Sequence, residues 1–476
     1  MRLILIAVLY GTGEAISRGL QFFSILWVAS ITTKDKYGEF GLLFALQQFV
    51  TLLALGGFSE ALFGRLSNYR DRNGRQNLFL VVIRLFLGVS LFVILGIIGG
   101  LFVVRGMFSP SIPSQLLVVV PLVGFLLAYF QLRASISQVQ EQHILGMIFR
   151  FCPSVLCYFP GLLGAKNCPD PVVGFYTSAC GGLVLLGVAT LLIPKVRWRT
   201  LEACDVPNRR TILIESIPYG IVSLFGWLSS YGNNFIVKVF LSNVDVADYT
   251  MSCTVASSLL LIMNAVSQVW NPVFFRKAAE GAVRLNEAHA FVHKLQLFSL
   301  SVAAGVILMF FSDALTASGG NLASYRNAMP FVTILLLTYI ISALYNRGLS
   351  YFLVNREGPL FCRIVAGISI LGFAVSLLLI WRIGAYGAYL GVLVVVILRA
   401  GMVYWIARQR WGALLHFEEV PLALLTVGVA IAVTFGISAL PTRAVVYAAC
   451  VFLIAAAMFF RERASLREYI GGASRR

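Results

Sequence analysis

The sequence predicts an all-α polytopic membrane protein with about fourteen transmembrane helices, arranged as two six-helix lobes followed by two more helices. Of the 476 residues, 59% are hydrophobic and only 12% are charged, about half of the roughly 25% that is typical of soluble domains. Long apolar runs recur along the chain, and each is close to the ~20 residues that a helix needs to cross the hydrocarbon. Basic residues gather between these runs, so membrane topology explains the net charge of +17 and we expect no nucleic-acid partner.

The first apolar run, residues 3–31, is a predicted transmembrane helix with charged residues near its middle. It starts too near Met1 for a standard signal peptide, so we expect it to be retained. Glu14 and Arg18 are four residues apart, which places them on one helix face in an order that favours a pair. A charge at the bilayer centre costs roughly 2.5 to 3.5 kcal/mol, and such residues usually face a bundle interior or a watery cavity. We therefore expect this helix to line a cavity; a structural Glu14–Arg18 pair is the alternative.

Five further spans complete a predicted N-terminal lobe over residues 1–194. The fifth span contains Pro153 and Pro160, which remove backbone hydrogen bonds and predict a kink, either beside a transport cavity or only for packing. Glu60 lies near the end of the second span. The five spans are predicted at 38–62, 78–104, 115–132, 147–165 and 172–194.

A basic cytoplasmic linker at 195–216 leads to a predicted C-terminal six-helix lobe at 217–407, and two additional helices and a polar tail occupy 408–476. Residues 276–294 alternate apolar and charged side chains, which predicts an amphipathic helix on the inner surface. The later spans are predicted at 217–241, 249–271, 295–312, 330–352, 360–381, 386–407, 421–440 and 444–460.

The distribution of basic residues predicts the orientation. With the N-terminus inside, 26 Lys and Arg residues lie in inner segments and seven in outer segments, so the positive-inside rule places both termini in the cytoplasm.

Four basic residues remain inside spans. Arg18 lies roughly 20 Å from each end of its run, and Arg399 is the next deepest. Arg84 and Lys238 are close enough to span ends for their side chains to reach the interface.

More basic than acidic residues lie inside the spans, which predicts a cavity for an anionic substrate group. Phosphate or pyrophosphate fits, because arginine binds its oxygens through two parallel hydrogen bonds. The amides of span seven could meet sugar hydroxyls, although such groups more often hydrogen-bond between helices. The candidate substrate-binding residues are Arg18, Glu14, Arg399, Lys238, Asn233 and Asn234, and the candidates for ion coupling are Glu14 and Glu60.

No catalytic, metal or cofactor motif stands out in the sequence. His289 and His293 share a helix face, but a zinc site needs three or four ligands. The eight cysteines contain no Cys-x-x-Cys pair and mostly lie in apolar segments, as small core residues do. We therefore expect no metal, no cofactor and no enzymatic activity.

Several local features carry a resemblance to a known family. They are the mid-helix Arg18, the Tyr-Gly-x-Phe turn within 34–40, and the Leu-Gly-Gly-Phe-Ser-Glu-Ala stretch at 55–61 before a basic loop. Residues 36–40 also resemble residues 245–249 at an offset of 209, which indicates a parallel internal repeat. Together these features resemble the Wzx-like O-antigen and exopolysaccharide flippases of the multidrug/oligosaccharidyl-lipid/polysaccharide (MOP) exporter superfamily.

The resemblance implies a MATE-like two-lobed bundle with a central cationic cavity in a bacterial cytoplasmic membrane. Members move an oligosaccharide linked to undecaprenyl pyrophosphate from the inner to the outer leaflet by alternating access. The implied partners are this lipid-linked oligosaccharide and membrane lipid, and beyond them a glycan polymerase and a chain-length regulator. A cation or drug antiporter of the same superfamily is one alternative, although its cavity should contain more acidic groups. A membrane glycan polymerase or ligase is the other, although such enzymes usually carry catalytic residues on a long outer loop.

Overall fold

The computed structural model describes residues 2–59, 61–62, 72–103, 112–140, 142–191, 208–279, 285–355, 357–413, 419–437 and 439–473. In these residues every regular element is helical. The α-helices are α1 Arg2–Ile31, α2 Lys34–Leu55, α3 Arg72–Val103, α4 Leu116–Val139, α5 His143–Asn167, α6 Pro171–Leu191, α7 Arg209–Leu228, α8 Asn233–Phe240, α9 Asn243–Ser257, α10 Leu259–Ala279, α11 Leu285–Ser318, α12 Gly320–Ala323, α13 Met329–Val354, α14 Gly358–Ile383, α15 Ala385–Trp411, α16 Glu419–Gly436 and α17 Leu440–Ala473. A short 3₁₀ helix, Ser324–Ala328, joins α12 to α13.

The predicted membrane spans are confirmed as long apolar helices. Within the described residues, eleven helical stretches are long and apolar enough to cross a membrane. Three shorter apolar helices, Ala15–Ile31, Ala423–Thr434 and Leu440–Ala456, lie where the first, thirteenth and fourteenth spans are predicted. The protein is therefore an all-helical, multi-pass membrane protein.

Two predicted spans are interrupted near mid-membrane, a feature that the sequence analysis missed. Span seven is divided into α7 and α8 by residues 229–232, and span eight is divided into α9 and α10 at Ser258. In the first break the Gly232 amide donates to the Trp227 carbonyl five residues back, at 2.9 Å, which widens the turn beyond α-helical geometry. The sequence Ser-Ser-Tyr-Gly-Asn-Asn at 229–234 is rich in turn formers. By contrast, α5 continues through Pro153 and Pro160 without interruption.

The helices α2 and α9 start 209 residues apart and are capped in the same way. The Thr33 hydroxyl accepts a hydrogen bond from the Lys36 amide, and the Ser242 hydroxyl accepts one from the Asp245 amide. Such caps satisfy amides that the first turn of a helix leaves unpaired. The contacts between the halves repeat as well: α2 packs on α9, α1 packs on α10, and the inner half of α2 packs on α7. The arrangement is that of two parallel repeats that meet around α2 and α9.

At the predicted outer end, ion pairs and polar contacts join the two halves. The Lys34 Nζ atom lies 2.8 Å from the Asp248 Oδ1 atom and 4.8 Å from the centre of the Tyr325 ring. The Asn321 amide donates to the Thr32 carbonyl at 2.9 Å. All three contacts link the α1–α2 turn to the C-terminal half, so they hold this end of the molecule closed.

At the predicted inner end, two glycines let α2 terminate directly against α7. Gly56 and Gly57 have φ angles of 53° and 77°, a left-handed region that favours glycine. A Cβ atom on Gly57 would lie 2.3 Å from the Ser216 carbonyl oxygen of α7. These glycines belong to the Leu-Gly-Gly-Phe-Ser-Glu-Ala stretch. The close approach of α7 explains why the stretch contains glycine at this point.

The structure differs from the predicted surface helix at 276–294. In its described part, α10 continues to Ala279 and α11 begins at Leu285, so these residues extend two spans. His289 and His293 are buried, with ring centres 4.5 Å apart, and His289 Nδ1 accepts a 2.7 Å hydrogen bond from the Trp270 indole. Arg347 is one of the 26 basic residues that we assigned to inner segments, and it is fully buried in α13. His289, His293 and Arg347 are thus covered by neighbouring helices, which periodicity in one segment does not reveal.

Candidate substrate cavity

Arg18 lines a cavity between the two halves of the protein. On α1, the residues Arg18, Gln21, Phe22 and Ile25 face the cavity, because spacings of three, four and seven residues fall on one helix face. The Arg18 guanidinium donates to the Gln21 amide oxygen at 3.3 Å. Arg18 therefore faces an interior space and not the acyl chains, which is the position expected for it.

The opposite walls of this central cavity come from α2 and from the two helix breaks. Phe44 of α2 and Tyr231 of the α7–α8 break are in edge contact, with ring centres 5.6 Å apart. Thr254, Ser257 and Ser258 add hydroxyl groups at the end of α9. Arg18 is thirteen residues before the end of α1, so it lies roughly 20 Å from the predicted outer end. Irregular backbone at such depth is tolerated where it is buried in protein or lines a cavity.

The central cavity is contracted in this conformation. Its volume is about 30 Å³, which is room for about two water molecules. A group as large as a sugar phosphate does not fit into this volume. Among its described lining residues, Arg18 is the only charged side chain.

Arg399 lies next to a second, smaller cavity on the far side of the α7–α8 break. Its side chain is 8% exposed, and its Nη2 atom donates to the Ser229 and Ser369 hydroxyls at 2.8 and 2.7 Å. Both serines line the second cavity, which has a volume of about 10 Å³, whereas Tyr231 of the same break lines the central one. The structure thus brings Arg18 and Arg399 to two sides of one helix break but not into one cavity.

The span-seven amides hold α8 in place. The Asn233 side chain donates to the Tyr249 hydroxyl at 3.2 Å and also lines the second cavity. The Asn234 side chain donates to the Gly41 carbonyl of α2 at 3.3 Å and accepts from the Thr250 hydroxyl at 3.4 Å. Lys238 is half-buried near the end of α8 and is not among the residues that line either cavity.

Two candidates for ion coupling lie outside the described groups. Glu60 and the side chain of Glu14 are not described, so their roles stay predictions.

Arg84 is exposed on α3, away from both cavities, as a side chain that reaches the interface would be. Within the described residues, no group of three or more His, Cys, Asp or Glu side chains could hold a metal ion.

Comparisons with known proteins agree with this architecture. Residues 7–277 match the family model described as "Polysaccharide biosynthesis protein". A search of curated proteins finds no match to the chain.

Three similar solved structures are MATE transporters. A MATE in the straight conformation has a TM-score of 0.64 and 15% identity, covering 86% of this chain and 95% of that one. The inward-facing conformation of a multidrug resistance MATE family transporter of the MOP superfamily has a TM-score of 0.63 and 15% identity, covering 85% and 94%. A eukaryotic MATE transporter has a TM-score of 0.62 and 13% identity, covering 90% and 99%. At these identities the likeness shows the fold alone, which is MATE-like.

Proposed function

The chain belongs to the polysaccharide biosynthesis protein family, and from that premise we propose that it is a flippase for an oligosaccharide linked to undecaprenyl pyrophosphate. It carries this unit across the bacterial cytoplasmic membrane by alternating access, with both termini in the cytoplasm. The observation that supports the proposal most is Arg18, a cation at bilayer depth that lines a cavity between the two halves. The exported unit then serves a glycan polymerase and its chain-length regulator.

The chemistry of the central cavity suits both parts of this head group. The Arg18 guanidinium can bind pyrophosphate oxygens through charge-assisted hydrogen bonds. Phe22, Phe44 and Tyr231 present apolar ring surface to sugar rings, and nearby hydroxyls can meet those of the sugar. The polyprenyl tail stays in the lipid. Because the cavity is contracted, loading and release both depend on separation of the halves at one end.

The transport cycle then opens each end in turn. The Lys34–Asp248 ion pair closes the predicted outer end, and it must break before the head group leaves on that side. At the other end, α2 rests on α7 through Gly57, so inward opening separates this contact. Movement of one half against the other carries the head group without a tunnel through the protein.

A cation or drug antiporter of the same fold is the main alternative. Such a transporter needs acidic groups to compensate its substrate, and the described lining of the central cavity contains no carboxylate. Efflux of a lipophilic cation dye from cells that express the protein separates the two functions. A flippase leaves dye retention unchanged. No observation in the described residues favours a membrane glycan polymerase or ligase.

Deletion of the gene in the source bacterium, followed by complementation, tests the proposal. We expect the deletion to abolish the surface glycan and to leave its lipid-linked precursor in the inner leaflet. Arg18→Ala should fail to restore export, and Arg18→Lys should restore part of it because the positive charge remains. Arg84→Ala is the matched control, since it removes an arginine of a membrane helix that faces away from both cavities.

Two results would contradict parts of this account. A surface glycan that is unchanged after gene deletion refutes the flippase function itself. Normal export by both Arg18→Ala and the double variant Glu14→Gln/Arg18→Gln refutes the role of Arg18 in substrate binding.

A further inference from the structure

The polar side chains that line the central cavity differ in whether they still have a proton to donate. Thr254, Ser257 and Ser258 each donate their hydroxyl proton to a backbone carbonyl of α9, at 2.8, 2.8 and 2.7 Å. Once that proton is committed, the hydroxyl oxygen can only accept a further hydrogen bond. The side of the cavity at the end of α9 therefore offers acceptors, which suit a sugar hydroxyl but not a phosphate oxygen.

Gln21 of α1 offers the opposite chemistry. An arginine side chain has only donors, so the Gln21 atom that lies 3.3 Å from the Arg18 guanidinium is the amide oxygen. The amide nitrogen of Gln21 makes no hydrogen bond within the described residues. Because Gln21 lines the central cavity beside Arg18, its N–H groups are donors for a ligand that Arg18 binds.

Tyr231 adds a donor from the α7–α8 break. Its ring is in edge contact with Phe44, but its hydroxyl makes no hydrogen bond within the part of the chain that the structure describes. The charge of Arg18 acts on this hydroxyl, so the two groups lie near each other in the central cavity. The hydroxyl proton of Tyr231 is therefore free to turn toward an anion that lies beside Arg18.

We propose that Gln21 and Tyr231 bind the pyrophosphate together with Arg18. The hydroxyls of Ser257 and Ser258 then accept hydrogen bonds from the first sugar. This inference rests on the proposed function and deepens it, because one guanidinium reaches only part of a pyrophosphate and the remaining oxygens need further donors. The separation of donors from acceptors fixes the orientation of the head group, with the pyrophosphate toward α1 and the sugar toward the end of α9.

Binding of undecaprenyl pyrophosphate to the purified protein in lipid nanodiscs tests the donors. Tyr231→Phe and Gln21→Met should each weaken binding about tenfold to hundredfold, as loss of a hydrogen bond to a charged group does. Both variants nearly keep the size of the side chain, and the unfolding midpoint checks that they fold. Tyr176→Phe is the matched control, because the Tyr176 hydroxyl is also without a hydrogen bond in the described structure but is sealed away from both cavities. Its affinity should equal that of the wild type.

A second ligand, undecaprenyl pyrophosphate that carries N-acetylglucosamine, tests the acceptors. Ser257→Ala should weaken binding of this ligand about twofold to tenfold, as loss of a hydrogen bond between neutral groups does. The same variant should bind the sugar-free lipid as the wild type does. Ser301→Ala is the matched control, because the Ser301 hydroxyl donates to the Leu297 carbonyl at 2.8 Å in the same way but lies outside both cavities.

The outcomes separate this inference from the proposed function. If the wild type binds undecaprenyl pyrophosphate no better than undecaprenyl monophosphate, the proposed function itself fails. If the wild type prefers the pyrophosphate but Tyr231→Phe or Gln21→Met binds it equally well, only the inference is overturned. An equal loss in Tyr176→Phe has the same meaning. In Ser257→Ala, no loss for the sugar-bearing lipid, or an equal loss for both lipids, overturns the orientation of the head group.

Discussion

Loss of the Lys34–Asp248 ion pair is expected to open the predicted outer end of the protein. The two charged atoms are 2.8 Å apart, and the side chains are only 21% and 17% exposed. Because the pair is largely shielded from solvent, its stabilising free energy should exceed the ~0–1 kcal/mol of surface ion pairs. It should be close to the ~1.5–3 kcal/mol of hydrogen bonds between charged groups. If the pair exists only in the outward-closed state, Asp248→Asn shifts the closed-to-open equilibrium toward open by about tenfold to hundredfold.

Hydrogen–deuterium exchange in nanodiscs measures this shift without labels. Amides in the first turns of α2 and α9 should exchange about tenfold faster or more in Asp248→Asn, because exchange reports the population of the open state. Lys36→Ala is the matched control: Lys36 is two residues away, but it pairs with Glu39 and Asp170 inside the N-terminal half. The double exchange Lys34→Asp/Asp248→Lys should restore slow exchange. Equal acceleration by Lys36→Ala, or none by Asp248→Asn, would refute the closure of the halves by this pair.

Two further predictions concern the inner end and the helix break. Gly57→Ala should destabilise the protein by more than the ~1 kcal/mol that a left-handed conformation costs a non-glycine residue, because its Cβ also meets the Ser216 carbonyl at 2.3 Å. Thermal unfolding checks this, with Gly96→Ala as a control that has open space around it and should be neutral or stabilising. Trp227→Phe should cost about 1 kcal/mol, since it removes the 2.9 Å hydrogen bond from the indole to the Ala45 carbonyl of α2. An unchanged unfolding midpoint in Trp227→Phe would show that this link between the halves contributes no stability.

Membrane crossings and the position of Arg18 could be predicted from the sequence because the bilayer imposes strict rules. Apolar length determines which segments cross, and a charge at bilayer depth has to avoid lipid. The offset of 209 likewise aligned the turns that precede these spans, and α2 and α9 start 209 residues apart, since turn and cap residues are local signals.

The remaining features of the site depend on contacts between distant segments. No proline marks the breaks at 229–232 and at Ser258, and the turn formers at 229–234 lie inside an apolar run that by length alone predicts one continuous span. Likewise, the sequence places both Arg399 and Arg18 deep inside predicted spans. Only the packing of the helices shows that Ser229 and Ser369 hold Arg399 beside a separate cavity. The burial of His289 and Arg347 follows in the same way from the packing of α10, α11 and α13 against one another.

Affinity for undecaprenyl pyrophosphate is the most direct test of the central claim, that Arg18 binds the pyrophosphate of the substrate. Binding of undecaprenyl pyrophosphate and of undecaprenyl monophosphate to the purified protein in nanodiscs is compared for the wild type, Arg18→Gln and Arg84→Gln. We predict tighter binding of the pyrophosphate by the wild type and by Arg84→Gln, and a loss of about tenfold to hundredfold in Arg18→Gln. Equal pyrophosphate affinity in the wild type and Arg18→Gln would contradict the account.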